Sequence, residues 1–125
     1  MNDKNEQKIK FQKRLRFFVV QLVKFLNRLR GDPELRDINR QLMRSGTSIG
    51  ANYFEAIGAS SKRDFQNYFN HSLKSSNETK FWLSVLADSS LVPQALASEF
   101  DWLLNEVKEL ANIFASSILT MKGKK

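Results

Sequence analysis

Residues 46–50 read GTSIG, and the pentapeptide fits G-x-S-x-G, the nucleophile elbow of serine hydrolases. An elbow needs a strand before its serine and a helix after it, so that the serine sits on a strained turn. Here the preceding DINRQLMR and the following ANYFEAIGA both carry a helical seam. Leu35, Ile38, Leu42, Ser45, Ile49, Asn52, Ala56 and Ala59 keep 3-4 spacing straight through the pentapeptide. The sole histidine, His71, falls in another segment. GTSIG is therefore read as part of a helix, and a hydrolase is excluded. Each glycine costs about 1 kcal/mol relative to alanine inside a helix. Gly46 and Gly50 share a face, and with Ala51 they leave little side-chain bulk, which predicts close helix packing at these three positions.

The rest of the chain repeats the same pattern. Phe11, Leu15, Phe18, Leu22, Phe25 and Leu29 form a 4-3-4-3-4 seam in a first helix over about 5–30. Pro33 and Pro93 open the second and fourth segments, with Asp32 as a cap, and Ser61 caps the third with Asp64 three residues on. The third seam runs through Phe65, Tyr68, Ser72, Ser75, Thr79, Trp82 and Leu86. The fourth runs through Phe100, Leu103, Val107, Leu110, Phe114 and Met121, and the tail KGKK is expected to fray. Sustained strand alternation is lacking. The chain is read as all-α, one domain over residues 1–125, with helices at about 5–30, 34–59, 62–90 and 93–121 in an antiparallel up-down four-helix bundle.

The second seam turns from large aliphatic to small and polar. A buried amide without a partner costs about 1–3 kcal/mol. Ser48, Asn52 and Glu55 are therefore expected to meet Ser72, Ser75, Ser76, Glu78 and Thr79 of the third helix in a polar layer that fixes register. Glu55 and Glu78 as an acid–base or metal pair is the sharper alternative, but no His or Asp stands at ligand spacing.

Charge is distributed unevenly. The net charge is +7 over 125 residues. Residues 1–30 hold nine Lys or Arg against two acids, and the rest of the chain balances to zero. Such asymmetry suits an anionic partner. On a helical wheel Lys10, Lys13, Arg14, Lys24 and Arg28 form one stripe about 120° from the apolar seam, with Phe17 inside it. A basic row with an aromatic suits phosphate contacts and base stacking. Phe54 and Phe81 lie off their seams and are expected at the surface, which favours the alternative of a protein–protein scaffold or accessory subunit without nucleic-acid binding. The chain has no cysteine, zinc spacing, P-loop or dinucleotide fingerprint, so neither a cofactor nor a metal is expected, and no enzymatic activity. The N-terminus is polar and the longest apolar run is FFVV, so the expected location is the cytoplasm, with no membrane partner.

RSGTSIGANYFEA, SKRDF and NETKFWL within residues 44–83 resemble the signature of the bacterial four-helix bundle proteins, also called 23S rRNA intervening-sequence proteins. The matching residues include Arg44, Ser45, Gly46, Gly50, Asn52, Tyr53, Glu55, Asp64, Glu78, Thr79 and Trp82, with Ser75 standing where the family often has Glu. The chain is also similar to the accessory variability protein of diversity-generating retroelements. The resemblance implies a ring-like homopentamer and no enzymatic activity. It further implies RNA or DNA as a partner, together with a reverse transcriptase or another protein.

Overall fold

The computed structural model describes residues 3–29 and 31–123. It contains four long helices: α1 (Asp3–Leu29), α2 (Arg36–Ile57), α3 (Lys62–Ser89) and α4 (Ala97–Met121). Single 3-10 turns, Pro33–Leu35 and Gln94–Leu96, precede α2 and α4 and push their starts past the two prolines. Asp32 accepts a hydrogen bond from the Glu34 amide (3.0 Å), and Ser61 accepts one from the Asp64 amide (3.1 Å), so each serves as a cap. Of the predicted extents, Arg30 and the tail lysines Lys124 and Lys125 lie outside the described residues.

The helices pack in ring order α1–α2–α3–α4, each against its sequence neighbours, and α4 closes on α1. The core is built from α1's Leu15, Phe18, Leu22, Phe25 and Leu29 together with Leu42, Ile49, Leu83, Leu86, Val107, Leu110 and Phe114. Two of the expected seams shift. On α3 the buried row is Phe69, Ser72, Ser76, Thr79, Leu83 and Leu86, so Phe65, Tyr68, Ser75 and Trp82 are only half-buried. Met121 is exposed, and Ile118 takes the last core position of α4.

GTSIG lies within α2, and its glycines have a specific use. A Cβ on Gly46 would stand 2.0 Å from Leu22 Cδ2 of α1, so the leucine lies directly on the helix backbone. At Gly50 the nearest atom would be Val19 Cγ2 at 3.5 Å, an ordinary contact. Ala51, expected in the same packing face, is instead exposed. The Thr47 and Ser48 hydroxyls donate to the carbonyls of Met43 and Arg44, both at 2.7 Å, back-bonding to the preceding turn.

The polar layer exists with its expected α3 hydroxyls but a different partner on α2. The buried hydroxyls are Ser45, Ser72, Ser76 and Thr79. Thr79 pairs with Ser45 across the α2–α3 interface (2.9 Å), and Ser72 donates to the Ile49 carbonyl (3.0 Å). Of the predicted members, Ser72, Ser76 and Thr79 are buried; Ser48, Asn52, Ser75 and Glu78 are half-buried and Glu55 is exposed. Antiparallel register explains the miss. Position 45 faces 79 and position 49 faces 72, so residues 52–55 face the start of α3, well away from Glu78. Asn52 donates to its own helix, at the Ser48 carbonyl (2.9 Å). Glu78 pairs with Arg44, eleven residues and about 16 Å along α2 from Glu55, so the two carboxylates do not form a pair.

Candidate nucleic-acid interface

The basic stripe of α1 divides when α4 is placed beside it. Arg14 grips Glu106 with two parallel bonds of 2.8 Å each and reaches Glu109 at 3.1 Å. Glu106 is only 8% exposed, and the pairing pushes the Arg14 guanidinium further above its ordinary range, the hydrogen bond to Glu106 being the largest cause. Arg28 pairs with Glu99. Phe17 meets Trp102 edge to face, centroids 5.5 Å apart, while remaining 54% exposed. Three predicted site residues therefore stitch α1 to the row Glu99, Trp102, Glu106 and Glu109, whose 3-4-3 spacing gives α4 one acidic edge.

Lys10, Lys13 and Lys24 remain exposed on α1. Sequence reasoning missed the cations flanking them. Arg16 lies over the Phe54 ring of α2, 5.9 Å from its centroid. Lys4 and Lys8 line a pocket at the end of the bundle.

A second polar cluster lies across the molecule. Arg44 holds the Gln41 amide oxygen (3.0 Å) and the Glu78 carboxylate, which also accepts from the Trp82 indole at 3.3 Å. Phe81 packs edge-on to Trp82 (5.0 Å) and is 57% exposed. Phe54 and His71 are exposed as well. Among the described residues no group of His, Asp and Glu is placed to hold a metal ion, and no helix is long and apolar enough to cross a membrane.

A family model described as 23S rRNA-intervening sequence protein matches residues 7–116. The chain belongs to that family. The 23S rRNA-intervening sequence match spans all four helices, and so covers both the arginine–carboxylate seam and the hydroxyl layer. Among solved structures, the chain is similar to a protein of unknown function from the S23 ribosomal protein family of Bacteroides thetaiotaomicron. The two are 32% identical, with a TM-score of 0.76 over 86% of this chain and 96% of that one. None of the curated proteins matches the chain.

Proposed function

We propose that this family member is a non-enzymatic oligomer that binds the backbone of RNA or DNA through α1. The observation that carries the reading is the placement of charge: the whole excess of +7 falls in residues 1–30, and Lys10, Lys13 and Lys24 point outward. Arg14 and Arg28 have carboxylate partners and are assigned to holding α1 in place. Phosphate contacts of this kind position a protein without reading sequence.

The proposed assembly is a homopentamer. In its support, α1 and α2 leave Ile9, Val20, Met43 and Phe54 between 38% and 42% exposed, apolar side chains that a subunit contact would cover. A five-fold ring would repeat the lysine row five times, so weak contacts would add through effective concentration. The expected solution mass is five times 14.5 kDa, and a monomer by sedimentation would remove the ring. The exposed Phe81 favours a second reading, a scaffold for another protein such as a reverse transcriptase, with no affinity for nucleic acid of its own.

The deciding experiment is fluorescence anisotropy with a structured RNA and a duplex DNA. Three phosphates neutralised per site predict about a 40-fold loss of affinity between roughly 50 and 200 mM salt. Reversing Lys10, Lys13 and Lys24 to Glu should abolish binding and leave the helical content unchanged. Unchanged affinity in that variant would assign the excess charge to solubility.

A further inference from the structure

At the end of the bundle where α1 begins and α4 finishes, the core does not close. A pocket of about 480 Å³ opens there, within the range of small-ligand sites. Its floor is aromatic. Phe11 meets Tyr53 edge to face (5.2 Å), and Phe65 stacks on Phe69 (5.3 Å). Lys4 and Lys8 form its rim, and no Asp or Glu lines it. On the wheel Lys4 and Lys8 fall on the seam face of α1, at positions continuing Phe11 and Leu15. Apolar residues there would have capped the core; two ammonium groups stand there instead. Phe11 and Phe65 are half-buried, so part of each ring is accessible from the pocket.

Two lysines and several aromatic rings line one pocket with no Asp or Glu among its lining residues, a combination that fits a ligand joining a planar ring to a phosphate. We propose that this pocket takes one unpaired nucleobase of a single-stranded nucleic acid, stacked on Phe65 and Phe11, with the adjoining phosphate between Lys4 and Lys8. The proposal rests on the nucleic-acid reading above and sharpens it to single strands. A base inside a duplex is already stacked and cannot enter. Lys10 and Lys13 lie around the same end of α1, a helix only about 10 Å across, so a strand held on the outer row reaches the pocket within about two nucleotides. An aliphatic acid would be better served by a deep aliphatic tunnel than by an open, ring-lined pocket.

The test compares one labelled oligonucleotide as a single strand and as a duplex, by anisotropy at about 50 mM salt, with wild type, Lys4→Gln/Lys8→Gln and Phe65→Leu. Helical content by circular dichroism checks the fold of each. Wild type should favour the single strand by tenfold or more. Phe65→Leu should lose about tenfold for the single strand, as expected when a base loses its stacking partner, and change duplex affinity less than threefold. Lys4→Gln/Lys8→Gln should likewise weaken the single strand more than the duplex. Equal wild-type affinity for both forms would overturn the pocket and leave the basic-helix reading standing. Binding of neither form would remove both. A fluorescent fatty acid bound by wild type and released by Phe65→Leu, with no single-strand preference, would overturn the proposal in favour of a lipid site.

Discussion

The bundle is held together differently on its two sides. Between α2 and α3 the contact is close, built from Ser45, Ile49, Ser72, Ser76 and Thr79; inside it Thr79 pairs with Ser45 and Ser72 with the Ile49 carbonyl, and the ionic pair of Arg44 and Glu78 stands at its rim. Between α1 and α4 the outer edge is spanned by long side chains, Arg14 to Glu106 and Glu109, Arg28 to Glu99, and Phe17 to Trp102. Small side chains let backbones approach but leave little room for error, because a packed interior cannot accept added volume. Long ionic side chains tolerate adjustment and keep one end in water, so each contributes less. The two seams should therefore respond unequally to substitution.

The largest effect belongs where a side chain of α1 already lies on the α2 backbone. Gly46→Leu has no space under Leu22, whose Cδ2 would be 2.0 Å from even the first added carbon. A loss of about 3 kcal/mol is expected by urea denaturation, at the upper end of overpacking costs. The control is one turn on. Gly50→Ala meets Val19 at an ordinary 3.5 Å and should stabilise by about 0.5–1 kcal/mol through helix propensity. If both variants shift stability in the same direction, the close approach at Gly46 does not govern this face.

Thr79→Val comes next. It keeps the shape of the side chain and removes the hydroxyl paired with Ser45, leaving that buried oxygen without its cross-helix partner. The expected cost is about 2 kcal/mol. A neutral result by thermal melting would mean that Ser45 turns to its own helix, and that the layer contributes no specificity.

Large periodic side chains made most of this legible in advance. Leu15, Phe18, Leu22, Phe25 and Leu29 could face only one way, and α1 packs on that row. α3 was harder, because small hydroxyls and large aromatics alternate along it. Tyr68 and Trp82 look like core residues by size, yet the tight interface takes Ser76 and Thr79 and leaves those rings at its edge. The polar layer is legible in part for a related reason: composition points to it and to its α3 hydroxyls Ser72, Ser76 and Thr79, but which α2 residues they meet depends on an antiparallel register that no single helix encodes. The basic stripe is a pattern of α1 alone, and the partners that divide it are on α4. The row Glu99, Trp102, Glu106 and Glu109 stands off the α4 seam at helical spacing, and that pattern, set against the stripe, would have separated Arg14 and Arg28 from the free lysines.

That separation gives the smallest of the three losses and the one that decides how the second seam works. Arg14 keeps 36% of its side chain in water, whereas Glu106 keeps 10%. Removing the arginine strands a mostly buried carboxylate, so Arg14→Met should cost about 1–2 kcal/mol, reduced from a fully buried pair by the exposed guanidinium. Glu109, far more exposed, cannot take over, since it carries no cationic group. Replacing both partners, Arg14→Met with Glu106→Leu, should recover most of that loss, because an apolar pair of similar volume avoids the desolvation the ion pair endures. The double-mutant cycle then separates two roles for Arg14. Recovery of stability with unchanged nucleic-acid affinity would make it a helix clasp and leave binding to the outward lysines. Recovery of stability with a tenfold fall in affinity would return it to the interface and reunite the stripe that α4 divides.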